Sequence, residues 1–193
     1  MGIAVKAERT LERHLRNISR IMVYFGGTIL TGIAIMTVIS IIGRAFVKYG
    51  LGPIPGDFEL VEAGCAVAVF SFLPWCQLNR GHVSVDVLAN QFPKSLQGVL
   101  ILIGDITISL VAFVITWRLW MGMGERTIWF SQPVRDILGF GYKPFSPEAT
   151  FILGMPLWYG YLLSLIGAVL FSIVAAFTVW RSINDILDRR VAS

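Results

Sequence analysis

Histidine, aspartate and arginine are gathered in one short polar run, Asn79 to Leu88, which reads NRGHVSVDVL between two long apolar stretches. His82 and Asp86 are four residues apart. That spacing places them on one face whether the run is a strand, with its period of two, or a helix, with about one turn between them. Arg80 and Lys94 bracket the run, which makes a polar ridge over Val83, Val85, Val87 and Leu88. Four further residues carry charge at places where charge is costly or specific: Arg44 at the end of one apolar stretch, Glu59 and Glu62 at the start of the next, and Asp105 inside a third. A carboxylate placed at mid-bilayer costs about 2.5–3.5 kcal/mol on insertion scales. Asp105 must therefore face protein or water and find hydrogen-bond partners. With Thr107 and Ser109 close by, its expected role is helix packing, and a subunit contact or ion handling are the alternatives.

The elements that position these residues are set by hydropathy. The chain has 193 residues, 55% of them hydrophobic and 15% charged, against about 25% charged in ordinary soluble domains. A helix needs about 20 apolar residues to cross a hydrocarbon core of about 30 Å. Four stretches meet this: 21–42, 60–78, 96–117 and 151–180. The sequence therefore predicts an all-α membrane protein with four transmembrane helices in a single integral membrane domain, residues 1–193. The fourth stretch exceeds the requirement, which implies tilt or a first turn outside the hydrocarbon.

Before the first span, Leu11, Leu15, Ile18 and Met22 recur at helical spacing while Arg9, Arg13, Arg16 and Arg20 fill another face, and Glu12 can pair with Arg16. Residues 1–20 are thus expected to form an amphipathic interfacial helix that contacts membrane lipid. No apolar core of a cleavable signal is present there, so the first span is expected to act as an uncleaved anchor. Counting Lys and Arg loop by loop puts ten on the side of the termini and six on the other. The basic bias marks the cytoplasmic side, so both termini are expected there. The net charge of +4 then reads as topogenic charge and not as a nucleic-acid surface. Arg44 is expected to pair with Glu59 or Glu62, which lie at similar depth. Pro74 is expected to kink or end the second span. Residues 118–150 form a long outer loop rich in aromatics, read either as belt residues at the membrane boundary or as a docking surface.

Enzymatic chemistry finds no support. There is no HExxH, Walker loop, GxSxG or cysteine cluster. Cys65 and Cys76 share a helix face about 16 Å apart, too far for a disulfide within the helix. His14 and His82 lie outside the spans and so do not form an axial haem pair. No cofactor is expected.

One ordered set of residues is more specific. Arg44, then Phe58-Glu59-Leu60, then Gly81-His82-Val83 with Val85, Asp86 and Leu88, and finally MPLWYGYLLSLIG entering the fourth span, together resemble the DctQ-type small membrane subunit of tripartite ATP-independent periplasmic (TRAP) transporters. The resemblance implies an accessory subunit in a bacterial inner membrane, partnered by a large membrane subunit and a periplasmic substrate-binding protein. It implies organic-acid uptake coupled to sodium, with sodium bound by the large subunit. Arg44, Glu59, Glu62, Arg80, His82, Asp86 and Asp105 become candidates for structural or subunit contacts, none for substrate binding. The rival readings are a self-sufficient four-helix transporter or channel, which would depend on Asp105, and a scaffold subunit of another membrane complex.

Overall fold

The computed structural model describes residues 5–79 and 94–191. Five α-helices account for them: α1 (Val5–Ala45), α2 (Asp57–Leu78), α3 (Lys94–Arg126), the short α4 (Gln132–Leu138) and α5 (Trp158–Val191), with a 3-10 turn at Val47–Tyr49. Among the described residues four helices are long and apolar enough to cross a membrane. The expected all-α, four-span architecture is present.

The helices are not arranged as an equal bundle. α5 packs on both α2 and α3, while α1 packs mainly on α2. More than half of the most apolar stretch of α5 is buried (56%), against 11% in α1 and in α3. α5 is therefore the spine, and α1 and α3 are flanks with apolar outer faces: Ile35, Val38 and Ile42 on α1, and Ile103, Leu110 and Phe113 on α3, are exposed.

Without water in the hydrocarbon, helices associate through close packing and small residues. Each seam here uses them. Gly26 and Gly64 let α1 settle on α2: a β-carbon would meet Ser71 Cβ at 2.8 Å from the first and Ile33 Cδ1 at 2.3 Å from the second. Ala112, with no exposed surface, sits against Phe171 and Ala175 between α3 and α5. The seam between α2 and α5 has a further cause. Pro74 lies inside α2, and having no N–H it leaves the carbonyl of residue 70 without its helical donor. The backbone of α5 approaches at that carbonyl, since a β-carbon on Gly167 would stand 2.5 Å from Phe70 O. The helix continues past Pro74 to Leu78 and ends at Asn79, whose amide reaches Trp75 O at 3.1 Å. Pro74 thus marks a helix contact, not a terminus.

Helix boundaries differ from the sequence reading at several places. α3 continues to Arg126, so residues 118–126 of the expected outer loop are helical. No turn separates the amphipathic segment from the first span: α1 has 41 residues, about 60 Å of helix, twice the hydrocarbon thickness. Its extra length runs beside the end of α5. Leu15 is buried with Leu78, Leu170, Val174 and Phe177, Glu8 accepts from Asn184 Nδ2 at 2.6 Å, and Arg181 Nη1 lies 3.9 Å from Glu12. The expected Glu12–Arg16 pair forms at 2.8 Å. Part of the apolar stripe read as facing lipid therefore faces α5, and the start of α1 and the end of α5 lie at one end of the molecule, called here the terminal end. At the other, the loop end, residues 151–157 are not helical and α5 begins at Trp158. The bridge between Ala149 and Pro156 and the positive φ of Gly154 (63°) fold that stretch into a turn.

If the seam at Phe70 organises the pair, Gly167→Ala should lower stability in detergent by about 1–3 kcal/mol, the usual cost of overpacking. Gly27→Ala, where a β-carbon meets nothing within 4 Å, should leave it unchanged. Thermal unfolding of the two purified variants checks the contrast, and equal midpoints would contradict it.

Candidate functional site

Of the candidate polar residues, Arg80, His82 and Asp86 lie outside the described residues. Arg44, Glu59, Glu62 and Asp105 are all placed, and they fall into separate groups.

Arg44 sits in the last turn of α1. Its Nη2 donates to Asp57 Oδ2 at 2.6 Å, the oxygen to which Ser40 Oγ also donates at 2.5 Å. Asp57 Oδ1 accepts the Phe58 amide at 2.9 Å, and Ser40 Oγ accepts the Ile54 amide at 3.3 Å. The expected pairing of Arg44 with Glu59 or Glu62 is thus replaced by one with Asp57. The reason is helical phase. Gly56, at φ 74°, turns the chain so that α2 starts at Asp57, and at about 100° per residue Glu59 and Glu62 are rotated roughly 200° and 140° away from the end of α1. The backbones close tightly here, since a β-carbon on Gly43 would stand 2.2 Å from Gly52 O.

Glu59 faces the other way and is buried. Its two carboxylate oxygens accept the amides of Ile152 at 2.7 Å and Leu153 at 3.0 Å. It therefore clamps the turn that precedes α5 onto the start of α2. Leu153 lies over Gly56, where a β-carbon would meet its Cγ at 2.5 Å. The turn is completed by Thr150, whose amide donates to Met155 O at 2.8 Å and whose Oγ1 accepts the Met155 amide at 3.0 Å. Glu62, one turn further along α2, is exposed and lines a groove of about 560 Å3 between α2 and α5.

The loop end holds a residue that sequence reasoning counted only as charge. Arg135, on α4, is fully buried and donates to five backbone carbonyls: Thr127 at 2.5 Å, Gly124 at 2.8 Å, Phe140 and Gly141 at 3.1 Å, and Tyr142 at 3.2 Å. The guanidinium holds its N–H donors in a fixed plane, with Nη2 shared among Gly124, Phe140 and Tyr142, so one side chain ties the end of α3 to the loop carbonyls. Phe140, nearly inaccessible, caps the arrangement. It packs on Trp120 at 4.8 Å between ring centres and occupies the space a side chain at Gly124 would need. The positive φ of Gly139 and Gly141 lets the chain wrap this tightly. The long loop is thus an ordered cap around one cation, and it displays Tyr142 and Phe145 almost fully exposed.

Asp105 lies towards the terminal end, buried where three helices meet. Ser182 Oγ of α5 donates to its Oδ2, and Gln77 Nε2 of α2 lies 3.4 Å from its Oδ1 and 2.8 Å from Thr178 Oγ1. Thr178 donates in turn to Ala175 O at 2.8 Å. On the same seam Thr116 Oγ1 donates to Ala168 O at 3.0 Å and meets Ser172 Oγ at 2.8 Å. The acid is therefore held by side chains of neighbouring helices. Among the described residues no three His, Cys, Asp or Glu side chains gather as a metal site would require, and both cysteines are free thiols.

A family model described as the DctQ component of tripartite ATP-independent periplasmic transporters matches residues 33–185. The match takes in the Arg44, Glu59, Arg135 and Asp105 groups and leaves the amphipathic segment and the first part of the first span outside. No curated protein and no solved structure matches.

Arg135→Met should free the carbonyls of the cap. Each buried acceptor left unmade costs about 1–3 kcal/mol, so cleavage between residues 127 and 145 in limited proteolysis should rise roughly 10-fold or more, with the long helices still protected. Cleavage at the rate of the parent protein would show that the cap does not depend on this cation. At the knot, Asp105→Asn keeps an acceptor for Ser182 and should melt close to the parent, whereas Asp105→Ala should lose about 1–3 kcal/mol. Equal melting of the two would remove the knot from the account.

Proposed function

The chain belongs to the DctQ family of tripartite ATP-independent periplasmic transporter components, and from that premise we propose that it braces the scaffold of the large membrane subunit and helps to dock the periplasmic substrate-binding protein. As a small multi-pass membrane subunit of a transporter it is a component and not an enzyme. In the proposed arrangement the complex takes up an organic acid across a bacterial inner membrane, with sodium bound and the substrate carried by the large subunit. The terminal end faces the cytoplasm and the loop end the periplasm.

The observation that carries this reading is where the polar groups go. Asp105, Gln77, Thr178 and Ser182 bond to one another across three helices, and Thr116 bonds to α5. A transport path needs polar groups that face a substrate and exchange partners; here the buried ones tie helices together. The flanks α1 and α3 present apolar faces suited to lipid and to another membrane subunit. At the loop end, a cap fixed by Arg135 and a turn fixed by Glu59 hold Tyr142, Phe145 and Phe151 outward. Exposed aromatics on a rigid support suit a docking surface.

Purification in mild detergent from the native host should recover a many-span membrane protein in fixed stoichiometry with this chain. In proteoliposomes, uptake should require both, and Asp105→Asn should leave the uptake rate of the assembled complex within roughly twofold of the parent. Uptake by this chain alone, or its loss in Asp105→Asn with assembly intact, would overturn the scaffold role.

A further inference from the structure

Glu62 is not used by the fold. Glu59 holds two amides and Asp105 a hydroxyl, whereas the Glu62 carboxylate takes no hydrogen bond or ion pair from the described residues. It lies about 7.5 Å along α2 from the first helical residue, inside the stretch that is long and apolar enough to span the membrane. It opens onto the groove of about 560 Å3 between α2 and α5. Ala63, Ala66, Gly160 and Ser164 line that groove without bulky side chains, and Phe70 and Tyr161 are among its apolar walls.

We propose that this groove receives a transmembrane helix of the large membrane subunit, which presents a lysine or arginine to Glu62. The inference rests on the subunit reading above and adds the contact through which the two chains recognise each other. Two features point to the same occupant. An acidic group exposed along a span needs an opposite charge or a donor, because hydrocarbon supplies neither. Small residues beside it let a second helix backbone come close, so a basic side chain extending from that helix reaches the carboxylate while its apolar neighbours fill the groove. The charge selects the partner and fixes its register, as paired charges do at protein interfaces.

The test uses the full complex with a small diazirine side chain placed at Ala66, an exposed position in the groove. Illumination should cross-link this chain to one peptide of the large subunit that contains a lysine or arginine. Glu62→Lys should reduce recovery of the large subunit about 10-fold, Glu62→Asp should retain most of it, and reversing the charge of the cross-linked basic residue should restore assembly with Glu62→Lys. The cross-link is made with Glu62 intact, so it reports on the groove whether or not Glu62→Lys folds. Labelling of lipid alone, or Glu62→Lys assembling at the parent yield while the large subunit still co-purifies, refutes this contact and leaves the scaffold role standing. Failure of the parent chain to recover any large membrane subunit refutes both.

Discussion

In a bilayer every polar group inside a span must be answered by protein, because the hydrocarbon offers no hydrogen bonds. Much of the structure follows from how this chain meets that requirement around α5, although Gln77 Oε1 takes no donor among the described residues. The knot of Asp105, Gln77, Thr178 and Ser182 ties α2 and α3 to the spine near the terminal end. The carbonyl that Pro74 strips of its donor lies against Gly167 further along the same seam. Removing the spine would leave α2 and α3 with costly polar groups facing lipid, so α5 is the most buried span for an energetic reason and not only a topological one.

The same rule operates at the loop end with different chemistry. Carbonyls of the irregular loop and of the last turn of α3 are gathered by a single guanidinium, whose three nitrogens reach five of them. Glu59 does the converse with its two oxygens, accepting two loop amides. One buried cation and one buried anion, each satisfied by backbone, turn what would be flexible connections into fixed surfaces. Such fixed surfaces suit the docking role proposed above.

The spans were legible because length and hydropathy are local properties, and the need of Asp105 for hydrogen-bond partners was legible from its depth in a span. What escaped was non-local or depended on phase. Whether Arg44 meets Asp57 or Glu59 is decided by the residue at which α2 starts, and that depends on a left-handed glycine. Asp57 falls before the expected start of the second span at residue 60, and the Gly56-Asp57 pair just before Phe58-Glu59-Leu60 was the signal. Arg135 was indistinguishable in sequence from any topogenic arginine, since its partners are carbonyls that carry no residue identity; only the glycines at 139 and 141 hinted at a tight wrap. The amphipathic segment was read correctly as helical, but periodicity does not say whether its apolar stripe meets lipid or, as at Leu15, another helix.

In the proposed role this chain is a rigid support for the large membrane subunit. The most direct test is the distance between spin labels on α1 and α5, at Ile35 and Ile173, both exposed, in the assembled transporter with and without substrate and coupling ion. A rigid support predicts the same distance distribution in both conditions. A shift of about 5 Å, the scale of one helical turn sliding past another, would show that the helices of this subunit rearrange during transport and would contradict the account.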